Sequence, residues 1–131
     1  MAEIKIYLTL IGEELSIDHV TKRIGIAPAY VRDKNEILGN GRLFGHYEWS
    51  IETELIHTDD IADYPDKFIS TIPCGPDILA EIAKECDAHW HIMILVNVYD
   101  DFPALYFSSK FIKTAGEIGA EIGFDVYMNT D

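Results

Sequence analysis

Two histidines, His89 and His91, flank Trp90 at the start of an apolar segment and are the residues best spaced to share a metal ion. Alternate residues of a β-strand point to the same face, so the pattern H-x-H on a strand could offer two imidazoles to one ion. A catalytic metal also needs a third protein ligand, and the other three histidines accompany no HExxH or Cys/His pattern. We therefore predict strand-end histidines that hydrogen-bond or face water, no bound metal and no cofactor.

Nucleophilic catalysis is not indicated either. The serines at positions 16, 108 and 109 precede helical patterns and are expected to cap helices, and the chain contains no GxSxG motif. The glycines of residues 39–42 lack the Lys-Ser/Thr ending of a phosphate-binding loop. The sequence therefore favours a protein that is not an enzyme.

Charge is the most unusual bulk property, with 23 acidic and 10 basic residues and a formal net charge of −13. Such a protein repels phosphate, which argues against nucleic acid and anionic membranes as partners. Residues 46–66 contain seven acids and neither lysine nor arginine. This segment predicts either a solvated surface or a docking surface for a basic protein partner.

The compartment predicted from the sequence is the cytoplasm. The N-terminal residues do not form a signal-peptide pattern, and the longest apolar stretch, residues 92–99, is far below the roughly 20 residues that cross a bilayer. Cys74 and Cys86 form no CxxC or Cys/His pattern, so reduced structural thiols are expected.

Hydrophobic periodicity divides the chain of 131 residues into one α+β domain, residues 1–131. Alternation predicts strands, and spacings of three and four predict helices. The predicted strands cover residues 3–11, 46–55, 89–99 and 124–129; the predicted helices are 16–25, an irregular or late-starting one after Asp59, 76–86, and one from Ser108 or Ser109 to Gly123. Asn40-Gly41 indicates a hairpin, or else the glycine-rich segment around it is a mobile loop.

The two ends of the chain follow a similar order of strand, acidic turn, serine cap, helix and strand. This similarity predicts a mainly antiparallel sheet with helices packed on one face, in a ferredoxin-like sandwich of two pseudo-repeated halves. In such a sandwich Phe124 and Val126 would face the helices with the other apolar strand residues.

The opposite sheet face would carry tyrosines, histidines and acids, which suit recognition because tyrosine combines a large contact area with a polar tip. The alternative is an ordinary solvated face. Met93 and Leu95 on the same face suggest a cover, either a second subunit in a homodimer or the loop of residues 29–45. The candidate binding residues on this face are Tyr7, Glu48, Glu52, His89, His91, Tyr99 and Tyr127.

Three segments carry a resemblance to a known family: the first strand with the following SIDHVTKRIGIAP, the strand carrying Trp49, and the closing GEIGAEIGFDVYM. Through them the sequence resembles the bacterial domain-of-unknown-function family numbered 4279 over nearly the whole chain. The family has no established reaction, cofactor or catalytic residue. The resemblance therefore implies a shared fold, marked by Gly25, Pro28, Trp49, Asp125 and Tyr127, and no catalytic role.

Two functional hypotheses follow. The first is a non-catalytic binding module that occupies a basic protein partner, in the way that bacterial immunity proteins occupy nuclease toxins, through tyrosines and acids of the open face. The second is an orphan enzyme or a small-ligand or metal binder that uses His89, His91 and the nearby Tyr99. A deep pocket beside those side chains favours the second hypothesis, and a flat sheet counts against it.

Overall fold

The computed structural model describes residues 1–129, which fold into an α+β domain with a six-stranded mixed sheet and four helices. The elements, in chain order, are β1 (Ala2–Gly12), α1 (Ile17–Ile24), β2 (Tyr30–Arg32), β3 (Tyr47–Glu52), β4 (Ile56–Thr58), α2 (Tyr64–Ser70), α3 (Pro76–Glu85), β5 (His89–Val98), α4 (Ser109–Ile118) and β6 (Glu121–Met128). Within residues 1–129 no helix is both long and apolar enough to cross a membrane.

The sheet is built around β1, which pairs with three other strands. The strand order is β2-β3-β1-β5-β6, and β4 pairs with the first residues of β1 on the side where β3 pairs with its second half. Every pair is antiparallel except β5 with β6, which is parallel. The sheet is therefore mixed, with most of its pairs antiparallel.

The core lies between one sheet face and the helices. Ile4, Ile6, Leu8 and Leu10 of β1 alternate with less apolar residues and are fully buried, as the sequence predicts. The facing residues of β5 and the apolar residues of all four helices complete one contiguous cluster. Full burial of each such aliphatic side chain contributes about 1.5–3 kcal/mol, so this alternation is the main source of stability.

The helix ends follow the cap residues. Ser16 Oγ accepts a hydrogen bond from the His19 N–H at 3.4 Å, and Gly25 ends α1 with a left-handed φ of 88°. Ser108 Oγ accepts from the Phe111 N–H at 3.0 Å at the start of α4.

In the loop of residues 29–45, Leu38 N–H donates to the Arg42 carbonyl at 2.7 Å, which closes a tight turn around Asn40-Gly41.

The predicted end of the last helix at Gly123 is wrong. Helix α4 ends at Gly119, which has a left-handed φ of 78°, and β6 already begins at Glu121. Ile122 continues the helical spacing of apolar residues, but it lies on β6 opposite Ile92 of β5. The early helix end lets the last strand begin at Glu121 rather than at the predicted residue 124, and the resulting edge strand has eight residues.

The ferredoxin-like pseudo-repeat is not confirmed. The first strand-helix unit leads from β1 through α1 to β3, which is the antiparallel neighbour of β1. The last unit leads from β5 through α4 to β6, which is the parallel neighbour of β5. The two halves therefore share an order of elements but not a pattern of strand pairing.

A surface ion cluster joins α1 to α3. Arg23 contacts both Glu85 oxygens, with Nη2 2.8 Å from one and Nε 3.1 Å from the other, and Nη2 also lies 3.0 Å from Glu81. His19 Nε2 is 2.9 Å from Glu85. These partners, Arg23 first, lower the pKa of Glu85 to about 2.

We predict that Glu85→Gln lowers the melting temperature by a few degrees at pH 7. A carboxylate whose pKa is lowered in the folded state stabilises the fold above the pKa it has when unfolded, and the stabilisation is lost as the pH falls through the folded pKa. The difference from the wild type should therefore shrink between pH 5 and pH 2. Thermal melts across this range test it, with the exposed Glu117→Gln on α4 as control. A difference that is constant with pH contradicts the proposed ion cluster.

Candidate binding groove on the open sheet face

The strand register arranges the side chains of the helix-free face in transverse rows, because directly paired residues point to the same side of a sheet. We call this side the open face. Its rows run Arg32–Glu48–Ile11–His89, then Tyr30–Ser50–Thr9–His91–Glu121, then Glu52–Tyr7–Met93–Gly123, then Lys5–Leu95–Asp125, and finally Glu3–Asn97–Tyr127.

A concave groove of about 610 Å³ lies across these rows, and we call it the open-face groove. Side chains of β1, β2, β3, β5 and β6 all contribute to it. Its lining residues are Tyr7, Thr9, Ile11, Tyr30, Glu48, His91, Met93, Leu95, Asn97, Asp125 and Tyr127. The groove thus combines three tyrosines with aliphatic residues, two carboxylates and one imidazole, a mixture that suits recognition of an amphipathic group.

The floor of the groove contains a buried pair of hydroxyls. Thr9 and Ser50 are directly opposed on β1 and β3, and their side-chain oxygens lie 2.8 Å apart. Ser50 Oγ also donates to the Leu8 carbonyl at 3.4 Å, so the hydroxyl of Thr9 can donate to Ser50. Ser50 is fully buried and Thr9 nearly so. The pair satisfies its own hydrogen bonds and holds the floor rigid.

Neither carboxylate of the groove forms a salt bridge with a lysine or arginine within residues 1–129. Glu48 has His46 Nε2 at 3.7 Å, and Asp125 accepts a hydrogen bond of 3.1 Å from the Tyr127 hydroxyl. That hydrogen bond raises the pKa of Tyr127, since ionising the phenol would place two negative charges together. The groove is therefore an electronegative site.

The basic residues of the open face bind other acids. Lys5 Nζ is 2.6 Å from Glu52, and the hydrogen bond to Glu52 raises the pKa of Lys5. Arg32 Nε is 3.1 Å from Glu36, and its guanidinium lies 4.1 Å from the ring centroid of Phe44. The salt-bridge partners of both cations, Glu52 and Glu36, lie outside the groove lining. Both cations are nevertheless close to the groove: Lys5 Nζ lies 5.8 Å from the centroid of the Tyr7 ring, and the pKa of Arg32 is raised first by Glu36 and also by Glu48.

The two histidines of the opening motif occupy different surroundings. His91 lines the groove, and its Nδ1 is 3.6 Å from Glu121. His89 is exposed at the end of the sheet, beside a separate depression near Glu13 and Glu14. In the described part of the chain no group of three His, Cys, Asp or Glu side chains is placed to hold a metal ion.

Four of the seven predicted binding residues line the groove, namely Tyr7, Glu48, His91 and Tyr127. Three do not. Glu52 is on the same face but pairs with Lys5. His89 lies at one end of the sheet, and Tyr99 follows β5 at the other end, where its hydroxyl donates to Glu3.

The acids of segment 46–66 do not all lie on one side of the protein. Glu48 and Glu52 belong to the open face. Asp63 lies 3.6 Å from Lys67, and Asp66 accepts a hydrogen bond of 2.7 Å from Ser108. These four of the seven acids are thus divided between the open face and the side on which α2 packs.

A second cavity, of about 450 Å³, lies at the side of the sheet where α2 packs near β3 and β4. Its walls are mainly apolar, including Ile51, Ile56 and Phe68, with Lys67 and Glu52 among the few charged residues. The thiols of Cys74 and Cys86 lie outside both cavities. Burial raises the pKa of each thiol, which makes them poor nucleophiles at neutral pH.

Two features of the groove were missed by sequence reasoning. Tyr30 belongs to β2, a strand of three residues within the irregular segment 29–45, and lies in the row of Ser50 and Thr9. Gly123 is in β6 beside Met93, where an added Cβ would lie 3.2 Å from Met93 Cε. The only sequence signal for Tyr30 is its place after Pro28, and three residues are too few to show alternation.

Comparison with known proteins gives a family but no activity. A family model described as a domain of unknown function (DUF4279) matches residues 2–129, so the chain belongs to that family. Searches of curated proteins and of solved structures each gave no match.

We predict that Ser50→Ala costs about 1 kcal/mol of unfolding free energy, because it leaves the nearly buried Thr9 hydroxyl without its partner. Thr9→Val should cost a similar amount, and the double variant should cost less than the sum of the two. Urea unfolding of the four proteins measures this coupling. Strictly additive costs would show that the two hydroxyls do not act as a pair.

Proposed function

We propose that this DUF4279 protein is a non-catalytic binding module that holds a basic protein partner on its open face. The observation that carries the proposal is the open-face groove, which is lined by three tyrosines and by two carboxylates that form no salt bridge with a lysine or arginine within residues 1–129. Positively charged side chains of the partner, one near each carboxylate, would supply the counter-charges.

The tyrosines support a cationic guest. Tyr30 and Tyr127 come from β2 and β6, the outermost strands of the path β2-β3-β1-β5-β6, and Tyr7 comes from the central β1. An ammonium or guanidinium group is attracted to an aromatic face, and its aliphatic stem packs against apolar side chains. Met93 and Leu95 provide such an apolar surface in the same groove.

The overall charge supports the same class of partner. A net charge of −13 on 131 residues produces a negative field around the molecule, which speeds the encounter with a positively charged protein and repels polyanions. This combination of small size, strong negative charge and a tyrosine-rich recognition face is the basis for comparing the protein with immunity proteins. We place such a protein in the cytoplasm, where its two cysteines stay reduced.

A second candidate function is the binding of a small organic cation in the same groove. Its support is the volume of about 610 Å³, which falls within the usual range of ligand pockets. His91 lines this site and would be the residue available for proton transfer in an enzyme, whereas His89 lies outside it. A protein partner is preferred because the groove is open along the sheet and the charge extends over the whole molecule.

The proposal predicts that the double variant Glu48→Gln/Asp125→Asn binds an octalysine peptide about threefold to tenfold more weakly than the wild type at low salt. The matched control is Asp101→Asn/Glu117→Gln, which removes two exposed carboxylates outside the groove and changes the net charge equally. Fluorescence anisotropy with labelled peptide measures the affinities, and the difference should shrink as salt rises.

Equal affinities of the two double variants would show that the peptide responds only to net charge, and would overturn the groove as the binding site. The same pair of variants applies to a protein partner captured from the native host. Loss of that partner in the groove variant but not in the control supports the proposal, and retention in both contradicts it.

A further inference from the structure

Strand β6 forms one edge of the sheet and presents an unpaired backbone. Its only partner strand within residues 1–129 is β5. The N–H of Asn129 donates to the Val98 carbonyl at 2.7 Å, so its backbone points toward β5. Because this direction alternates along a strand, the N–H and carbonyl groups of Phe124 and Val126 point away from β5, toward the free edge.

This edge lacks three features that often prevent pairing with another chain, namely lysine, proline and a β-bulge. Its sequence, EIGFDVYM, contains neither lysine nor proline. Its register with β5 runs without interruption from His91–Glu121 to Val98–Met128, so no bulge twists the edge away. A long, regular, unprotected edge is a template for an additional strand.

The two sides of the edge differ in chemistry. On the open face, β6 carries Glu121 and Asp125 and no basic residue. On the helix side, Phe124, Val126 and Met128 are between 40% and 58% exposed, although the corresponding residues of β5 are buried. The predicted helix-facing orientation of Phe124 and Val126 is thus observed, but the edge position leaves both of them partly uncovered.

We infer that an extended segment of the basic partner adds to β6 as a seventh strand, with alternating basic and apolar residues. Directly opposed residues of neighbouring strands share a face, so basic side chains would lie beside Asp125 and Glu121 and apolar ones beside Phe124 and Val126. This inference rests on the proposed function and specifies how the partner binds.

The edge strand β6 also forms one wall of the open-face groove. Asp125 and Tyr127 belong to β6 and also line the open-face groove. A basic side chain of the added strand therefore lies next to the groove wall and reaches Asp125. Main-chain hydrogen bonds give such a complex its affinity, and the alternating side chains give it specificity.

A second copy of this chain fits the edge less well than a basic segment. Each copy has a net charge of −13, and the open-face side of the edge carries only acids among its charged residues. Self-pairing therefore places like charges near one another across the new interface, which is destabilising.

The test uses the wild-type protein and three acetylated, amidated peptides. The first has the sequence Lys-Val-Lys-Val-Lys-Val-Lys, the second carries N-methyl groups on its valines, and the third carries them on its lysines. In an antiparallel addition the valine N–H groups face β6, and in a parallel addition the lysine N–H groups do. We expect one of the two methylated peptides to bind about tenfold or more weakly than the parent.

Equal affinities of the two methylated peptides overturn the inference. In an added strand only one set of N–H groups, that of the valines or that of the lysines, faces β6, so methylation of that set alone should weaken binding.

A matched pair of protein variants tests the same contact. Val126→Pro removes one outward N–H and is tolerated at an edge, whereas Val126→Thr keeps that N–H with a similar shape. We expect the proline variant to lose at least about fivefold more affinity than the threonine variant. Because the methylated peptides are tested on wild-type protein, they decide the question even if the proline variant fails to fold.

The outcomes separate the inference from the proposed function. If the parent peptide binds, its affinity falls in Glu48→Gln/Asp125→Asn, and the methylated peptides bind equally, the groove binds cations without strand addition. If no peptide binds more tightly to the wild type than to that groove variant, both proposals fail. If sedimentation shows a dimer that Val126→Pro dissociates, a second copy occupies the edge and the inference is overturned.

Discussion

The antiparallel register between β1 and β5 is the constraint on which the remaining structure depends. It runs from Glu3–Asn97 to Ile11–His89 through the centre of the sheet. A shift by one residue in either strand would send its apolar set to the open face and bring Lys5, Tyr7 or His91 into the core. Burial of isoleucine, leucine, tryptophan and valine from both strands opposes that shift, because each exposed apolar side chain would lose its burial energy. The core and the open-face groove are therefore two results of the same register.

Each neighbouring strand extends this division of the sheet into two faces. Trp49 and Ile51 of β3 join the core, so Glu48 and Ser50 must face the other way. The indole N–H of Trp49 donates to the Thr21 hydroxyl of α1 at 3.0 Å, and that of Trp90 donates to the Leu79 carbonyl of α3 at 2.7 Å. The two tryptophans also contact each other edge to face. These contacts fix the helices above the core side and leave the groove residues without a helix over them.

The sequence predicts best those features that depend on local chemistry. Alternation was sufficient for β1 and β5, but of the strand predicted at residues 46–55 only Tyr47–Glu52 forms β3, and β4 follows as a separate strand. Ser16, Gly25 and Ser108 lie where their capping chemistry requires. The end of α4 could not be predicted, because Gly119 and Gly123 both follow an Ile-Gly pattern and only the pairing of Ile122 with Ile92 decides between them. Alternation also does not show whether two neighbouring strands run parallel or antiparallel. The parallel pairing of β5 with β6 could therefore be seen only in the tertiary structure. For the groove, alternation was enough to place four lining residues on one face: Tyr7, Glu48, His91 and Tyr127. It could not show that Tyr30 lies in the row of Ser50 and Thr9, or that Glu52 pairs with Lys5.

The negative charge gives the β6 edge a selectivity that an apolar edge would lack. An unprotected strand edge with exposed apolar residues normally risks association with identical chains. Lysines commonly prevent this; on this chain every copy carries the same Glu121 and Asp125, which would repel one another if two β6 edges paired. Repulsion between identical acidic edges does not apply to a basic segment, for which the same side chains are attractive. Under the proposed function, the same carboxylates therefore disfavour pairing with a second copy and favour pairing with the basic partner. Specificity for the partner then arises in part from repulsion of the competing copy.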